Sequence, residues 1–297
     1  RCTSSAASDV YKRQLYCYLS WSRILQTLSD FSDASDSAEH IVFLHANGFP
    51  PNTYASFLSA ISSLGRLSTI EHRPLWTKEA PRFLDWGVYA DDAIKTLERE
   101  ITGPVWLVGH SMGGAISLLI ARKAPHLVKG VVGLDPVTIN SRFLAFSRLA
   151  FRLWPDKPKM IRGALGRPHQ FDSHQAAFEF YRTKRAFSGI ADKELMDYVL
   201  AAHAPSESGV DLRYSGAWEA CVYRSPPNLW KCFDHIDKPV HILGGEHSYV
   251  IVPNVAERLK QLRNVKFESI DAGHLMPIEK PQETASFVTE SISRCDI

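Results

Sequence analysis

The sequence is poor in the features that mark membrane, secreted and nucleic-acid-binding proteins. No stretch approaches the uninterrupted run of about 18 apolar residues that a membrane-spanning helix needs. The N-terminus lacks the basic start and apolar segment of a secretory signal peptide. The 34 basic and 32 acidic side chains leave a formal net charge of +2, whereas phosphate binding needs a concentrated basic field. We therefore expect a cytoplasmic globular protein with no membrane span and no nucleic-acid partner.

Cysteine is also scarce, and its pattern is uninformative. The number of cysteines is odd and no C-x-x-C pair occurs, which argues against a disulfide framework and a zinc site. The five are Cys2, Cys17, Cys221, Cys232 and Cys295. Four histidines in the middle of the chain also lack metal-ligand spacing: His169, His174, His203 and His235. We expect reduced thiols, no metal and no cofactor.

The 297 residues are enough for a core and an insert, and 45% of them are hydrophobic. Residues 1–14 are rich in Ser and Ala without periodicity, and they resemble adapter-derived sequence translated at the front of environmental clones. We interpret them as a non-native leader; a genuine N-terminal strand is the alternative. Residues 15–136 and 238–297 are expected to form the core, and residues 137–237 a helical cap.

Short apolar runs alternate with segments of helical spacing in the predicted core. The predicted strands are Ile41–Leu44, Ser68–Glu71, Val105–Val108, Val131–Leu134, Val240–Leu243 and Val265–Ile270. The predicted helices are Tyr54–Leu64, Val88–Ile101, one through Ile116–Ile120, and Pro281–Ser293. This alternation predicts an α/β protein with a mostly parallel sheet covered by helices on both faces.

The predicted cap has no apolar strand runs, and a structureless loop of its length would be rare. Phe143 to Trp154 interleaves large apolar residues with Arg148 and Arg152. Two interpretations stay open: an amphipathic surface that contacts lipid or a fatty substrate, and a helix that packs on the core with solvated arginines. We favour the second. Three aromatic residues either line an acyl pocket or fill the core: Trp218, Tyr223 and Trp230.

The motif that carries chemistry is Gly109-x-Ser111-x-Gly113. It follows an apolar strand and precedes an apolar helix, which is the context that a nucleophile elbow requires. The neighbours of a serine on so sharp a turn pass close together, so a Cβ at position 109 or 113 would clash. The turn also directs a helix N-terminus at the site where negative charge develops. We predict Ser111 as the nucleophile; a structural serine in a tight turn is the alternative.

The general base and the oxyanion donors are predicted from two other loops. His274 follows the last predicted strand, and an unperturbed histidine titrates near pH 6.5, so it can take and return the Ser111 proton. The loop after the first predicted strand can direct a backbone N–H at the oxyanion, so we nominate the N–H groups of Asn47 and Met112. His45 and His110 are expected to have structural roles.

With these pieces in place, the chain resembles the α/β-hydrolase superfamily after about residue 40, and within it small bacterial carboxylesterases with a helical cap. The matching stretches are His45–Pro50, Gly109–Gly114, Gly133–Pro136, Ala272–His274 and Glu279–Pro281. The resemblance implies an eight-stranded core sheet, a variable cap, and ester, thioester or related acyl-transfer chemistry.

The chain departs from the family at the acid of the triad. Members commonly carry an Asp in the loop after the strand that here ends at Gly245, but this loop reads Glu246–Val250 without Asp. Two candidates remain: Asp135, which follows the strand after the nucleophile's, and Glu246 on the usual loop. We favour Asp135.

The resulting hypothesis is a serine hydrolase that cleaves small carboxylic esters through an acyl-enzyme. Ser111, His274 and Asp135 would form the triad, and Asn47 and Met112 the oxyanion hole. The alternatives are a thioesterase, lactonase, C–C bond hydrolase or perhydrolase with the same triad, and a non-catalytic ligand-binding protein. The oligomeric state stays open.

Overall fold

A computed structural model describes residues 28–30 and 39–293. The predicted leader, residues 1–14, lies outside the described residues, as does most of the predicted core before residue 39. Cys2, Cys17 and Cys295 also fall there, whereas Cys221 and Cys232 are buried free thiols.

The core is one sheet whose described strands run in the spatial order β1-β3-β2-β4-β5-β9-β10. Its strands are β1 (Leu28–Asp30), β2 (His40–Leu44), β3 (Arg66–Ile70), β4 (Val105–His110), β5 (Val128–Leu134), β9 (Val240–Gly245) and β10 (Val265–Ile270). Only β1 runs antiparallel; the other six described strands are parallel. The mostly parallel α/β sheet is as predicted.

The expected number of eight strands differs from the number observed, since the described residues contain seven strands in the main sheet. The edge strand β1 is only three residues long and reads Leu-Ser-Asp. So short and polar a strand leaves no apolar run in the sequence, and the number came from the resemblance alone.

Helices cover the sheet on both faces. The described α-helices are α1 (Ala55–Ile61), α2 (Gly87–Glu100), α3 (Met112–Lys123), α4 (Ser141–Leu153), α5 (Lys159–Leu165), α6 (His174–Arg182), α7 (Asp192–Ala202), α8 (Gly216–Arg224), α9 (Trp230–Phe233), α10 (Pro253–Lys260), α11 (Met276–Glu279) and α12 (Pro281–Ser293). Strand β2 shows why both faces need cover: Val42 and Leu44 pack with α2 and α3, while Ile41 and Phe43 pack with α1 and α12. Side chains alternate between faces along a strand, so a strand buried on both sides reads as a continuous apolar run.

The segment between β5 and β9 holds helices α4 to α9 and a small antiparallel sheet in the order β6-β8-β7. These strands are β6 (Gln170–Phe171), β7 (His203–Ser206) and β8 (Gly209–Leu212). The sequence analysis predicted the helices of this segment but not its small sheet, because strands of two to four residues carry no apolar run. Trp218 and Trp230 are buried in the core cluster, and each indole N–H donates to a backbone carbonyl.

Helix α4 packs differently from the interpretation that we favoured. Among its side chains only Leu144 and Ser147 are buried, and most of its large apolar residues are exposed. The arginines are exposed, as that interpretation requires, but Phe143 and Phe146 are exposed as well, so the helix buries little of its apolar surface. No helix in the described ranges is both long and apolar enough to cross a bilayer.

The turn between β4 and α3 depends on two glycines, as predicted. A Cβ on Gly109 would lie 2.4 Å from the backbone of Gly113, and one on Gly113 would lie 2.0 Å from the carbonyl oxygen of Leu44. Both clashes are with backbone, so relief would require a shift of β2 or α3.

Replacing Gly113 by alanine is therefore expected to lower the free energy of unfolding by at least about 2 kcal/mol. Gly163 is the matched control: it lies inside α5, and an added Cβ there meets nothing within 4 Å. Gly163→Ala should raise stability by about 0.5–1 kcal/mol, since alanine is the better helix former. Urea unfolding followed by circular dichroism measures both, and equal effects would contradict the clash.

Candidate active site

Ser111 lies at the bend between β4 and α3, in a conformation that serines rarely adopt. Its φ is 54° and its ψ is −111°. Its N–H donates to the carbonyl of Leu134 at 2.9 Å, and its carbonyl accepts from the N–H groups of Ala115 and Val137. These bonds fix the strained backbone against β5 and α3. The turn is thus held on both sides, and Ser111 as a whole is 6% exposed.

His274 lies on the loop that follows β10, and its imidazole reaches back to the serine. Its Nε2 is 3.0 Å from Ser111 Oγ, so the two predicted residues are within hydrogen-bonding distance. The loop is held by Glu279 of α11, whose carboxylate accepts from the N–H of Gly273 at 2.6 Å. The sequence pattern included Glu279 but gave it no role.

The group on the other side of this imidazole is Asp135. Its Oδ2 is 2.5 Å from His274 Nδ1, and its side chain is fully buried. A carboxylate only accepts, so Nδ1 carries the proton and Nε2 is free to accept from Ser111. Asp135 has a φ of 46°, and its N–H donates to Leu243 on β9 at 2.7 Å. The rival Glu246 is exposed and accepts from Ser269 Oγ at 3.4 Å.

Ser248 completes this arrangement, and the sequence analysis missed it. It lies on the loop after β9 that lacks the usual Asp, and its Oγ donates a short hydrogen bond to Asp135 Oδ2. The same Oγ accepts from the N–H of Val250 at 3.0 Å, which orients the hydroxyl. Among the described residues the other oxygen of Asp135, Oδ1, is buried without a partner. The one available signal was position: Ser248 occupies the loop that was searched only for an acid.

The two nominated oxyanion donors lie on either side of β4. Met112 is the first residue of α3, where a backbone N–H has no acceptor within its own helix. Asn47 lies on the loop after β2 and is 7% exposed. Within residues 39–293, neither backbone N–H donates to another protein group. Both are thus available to an anion, and the α3 N-terminus adds its positive dipole.

His110 and Tyr54 join three loops of the site behind these residues. His110 Nε2 donates to the carbonyl of His274 at 2.8 Å, since a carbonyl can only accept. Burial lowers the pKa of His110 well below its ordinary value, so its Nδ1 is unprotonated and accepts from the Tyr54 hydroxyl at 2.9 Å. That hydroxyl in turn accepts from the N–H of Ala46 at 3.2 Å. The expected structural role of His110 therefore extends to positioning His274 and the loop that carries Asn47.

His45 lies within the loop that carries Asn47. Its Nδ1 donates to the carbonyl of Ala46 at 2.8 Å, and its Nε2 accepts from the N–H of His72 at 3.1 Å. Both bonds require a neutral ring, and burial lowers the pKa of His45 to about 4. The ring thus ties the end of β2 to the segment after β3.

The segment between β5 and β9 contacts this loop through Glu219 of α8. The Asn47 side chain donates to the carbonyl of Glu219 at 3.2 Å, and the Glu219 carboxylate pairs with Arg167 at 2.8 Å. A Cβ on Gly48 would lie 3.4 Å from both members of that pair, so the loop fits closely beneath them. On the open side of the site, the Tyr249 ring is exposed and lies 5.2 Å from the His274 ring.

The described residues contain no group of three or more His, Cys, Asp or Glu side chains that could hold a metal ion. The arrangement brings together a serine hydroxyl, an imidazole, a buried carboxylate and two backbone N–H groups. This set is suited to acyl transfer.

Comparison with known proteins agrees with this fold and geometry. The profile of the alpha/beta hydrolase family matches residues 41–287, most of the chain. The chain belongs to the alpha/beta hydrolase family. The matched residues run from β2 into α12 and include the segment between β5 and β9.

Three similar proteins are 17–24% identical to this chain. "Pyrrolizixenacetamide deacetylase" of Xenorhabdus hominickii is 24% identical over 221 residues, which cover 70% of this chain and 77% of that protein. The structure of "E-2-(Acetamidomethylene)succinate Hydrolase" aligns with a TM-score of 0.73 at 20% identity, covering 88% of this chain and 93% of that one. A thermophilic esterase from Thermogutta terrifontis aligns at 0.63 and 17% identity, covering 91% and 94%. The structural likenesses show a shared fold.

The burial of His45 gives a prediction about pH. The pKa in the folded protein is about 4, whereas in the unfolded chain it is about 6.5, so the unfolded chain binds the proton more readily. The stability that comes from the neutral ring is therefore present above pH 6.5 and is lost as the pH falls toward 4. Between pH 7 and pH 4.5 the free energy of unfolding should fall by about 2 kcal/mol more in the parent than in His45→Asn.

Urea unfolding at the two pH values measures this difference. His235→Asn is the matched control, because His235 is exposed; that variant should follow the parent at both pH values. Identical pH dependence of the parent and His45→Asn would show that His45 does not carry the effect.

Proposed function

We propose that this protein is a serine hydrolase that cleaves carboxylic esters through an acyl-enzyme intermediate. The observation that carries the proposal is the continuous chain of hydrogen-bonding distances from Ser111 Oγ to His274 Nε2 and from His274 Nδ1 to Asp135. In a catalytic triad, hydrogen bonds in this order let the imidazole accept the proton of the hydroxyl nucleophile while the carboxylate orients the imidazole.

In the first half of the reaction, Ser111 Oγ attacks the ester carbonyl while His274 Nε2 accepts the hydroxyl proton. Asp135 keeps the proton on Nδ1 and stabilises the imidazolium that forms. The carbonyl oxygen becomes an anion, and the N–H groups of Asn47 and Met112 are its proposed donors. His274 then gives its proton to the departing alcohol, and the acyl group stays on Ser111.

In the second half, a water molecule takes the place of the alcohol. His274 removes a proton from that water as its oxygen attacks the acyl carbon, and the same two N–H groups hold the second oxyanion. Collapse of this intermediate releases the carboxylic acid and returns the proton to Ser111. No step needs a cofactor.

Amide hydrolysis is a second candidate, because the relative named as a deacetylase is 24% identical to this chain. The same residues suit it, since protonation of a departing amine also falls to His274. The non-catalytic alternative rested on the absence of Asp from the loop after β9. Asp135, at hydrogen-bonding distance from His274, supplies a carboxylate from another loop and so favours the catalytic proposal.

The choice of acid is tested by Asp135→Asn and Glu246→Gln. Asp135→Asn should lower kcat by about 10⁴ with KM preserved, because an amide in place of the carboxylate favours the wrong imidazole tautomer. Glu246→Gln removes the same charge from the exposed rival and should leave kcat within about twofold of the parent. Steady-state kinetics on a p-nitrophenyl ester, with thermal melts to verify folding, measure both. A large loss confined to Glu246→Gln would reverse the assignment.

The substrate class is tested with p-nitrophenyl esters of graded acyl length beside p-nitroacetanilide. We expect a burst of p-nitrophenol stoichiometric with the protein, covalent labelling by a fluorophosphonate, and neither in Ser111→Ala. Turnover of the anilide at a rate comparable with the acetyl ester would favour the amide candidate. Absence of both burst and labelling would favour a binding protein.

A further inference from the structure

The outer surface of α4, together with Trp154 at its C-terminal end, carries five large apolar side chains that the described part of the protein leaves in solvent. They are 52–71% exposed, and we call them the apolar strip: Phe143, Phe146, Leu149, Leu153 and Trp154. Their spacing places them on one flank of the helix, while Leu144 and Ser147 face the core. Exposed apolar residues are ordinary when scattered, but a continuous strip of this kind marks a contact surface.

The charge around the strip is strongly positive, unlike that of the chain as a whole. Residues 140–166 contain six basic residues and one acidic residue, a net charge of +5, against +2 for all 297 residues. The six basic side chains are all exposed: Arg142, Arg148, Arg152, Lys157, Lys159 and Arg162. The single acidic residue, Asp156, already pairs with Arg224 at 2.6 Å. The surface therefore presents cations that its own acidic side chain does not neutralise.

A shallow depression of about 360 Å³ adjoins the end of the strip. Its lining combines the apolar Leu153, Trp154 and Pro155 with three cations and one carboxylate, Arg82, Lys157, Arg162 and Asp156. The Lys157 ammonium is 5.3 Å from the centre of the Trp154 ring. An indole beside cations is suited to the boundary between acyl chains and headgroups, where its apolar body and polar N–H both find partners.

We propose that α4 and the turn after it dock on the surface of an anionic lipid bilayer. The apolar strip lies in the boundary between headgroups and acyl chains, and the basic side chains face the lipid phosphates. This is the arrangement of an interfacial amphipathic helix, which combines buried apolar area with attraction to anionic lipid. The proposal concerns binding and does not depend on the proposed catalysis.

A second copy of this chain fits the same surface less well. In a two-fold dimer the same patch meets itself, so two segments with a net charge of +5 would face each other. Repulsion between them would oppose the gain from burying the apolar strips. An anionic bilayer instead satisfies both the apolar and the charged component.

The proposal is tested by co-sedimentation of the full chain with phosphatidylcholine vesicles that contain either no or 30% phosphatidylglycerol, at 0.1 M salt. We expect at least tenfold tighter binding to the anionic vesicles. The double variant Phe146→Ser and Leu149→Ser should weaken that binding at least tenfold, as should Lys157→Gln with Arg162→Gln. Val252→Ser is the control, since Val252 is exposed but lies outside the strip.

Thermal melts and circular dichroism establish that each variant is folded, and ester turnover is not needed as a readout. Failure of the parent to bind anionic vesicles would overturn the proposal. Binding that the strip variant retains in full would also overturn it. A solution dimer that the strip variant dissociates, without vesicle binding by the parent, would identify the surface as a self-association interface instead.

Discussion

The arrangement of the loops depends on one interaction: the buried carboxylate of Asp135 accepts a hydrogen bond from the imidazole of His274, which lies 139 residues further along the chain. Asp135 ends β5 and His274 follows β10, and β9 lies between these strands in the sheet. Parallel strands present their carboxyl ends at one edge, which is where residues distant in sequence can meet. The middle strand also contributes, because the loop after β9 provides Ser248 as a second donor to the same carboxylate oxygen.

Interior polar groups then set the positions of the loops. His110 and Tyr54 form one chain of hydrogen bonds from the N–H of Ala46 to the carbonyl of His274. The chain works only while His110 is neutral, because a protonated ring could not accept from the tyrosine. Burial enforces that state by lowering the pKa of His110. The desolvation that is unfavourable for a charged histidine thus makes this one a reliable acceptor.

The sequence predicted features that leave a periodic or local signal, and missed those that depend on three-dimensional proximity. The runs at Val265–Ile270 and Pro281–Ser293 matched the observed strand and helix, because burial imposes their pattern. The sequence analysis favoured Asp135 but kept Glu246 as a rival, since both follow strands of one sheet and only the contacts of their side chains distinguish them. Ser248 and Tyr54 were missed because a hydroxyl gains its role from its neighbour, and no spacing rule reports that neighbour.

The segment between β5 and β9 has two faces that differ in chemistry: one contacts the core and the other is exposed to solvent. Toward the core, Glu219 holds the Asn47 side chain and pairs with Arg167, so polar contacts fix the loop that carries a proposed oxyanion donor. Toward solvent, α4 exposes apolar side chains among cations. Only residues 136–140 separate Asp135 from the start of α4. This short segment joins the outer face of α4 to Asp135, whose carboxylate accepts a hydrogen bond from His274. Asp135 has its own bonds to β9, His274 and Ser248, so the proposed contact of the outer face with a bilayer does not require any of these bonds to break.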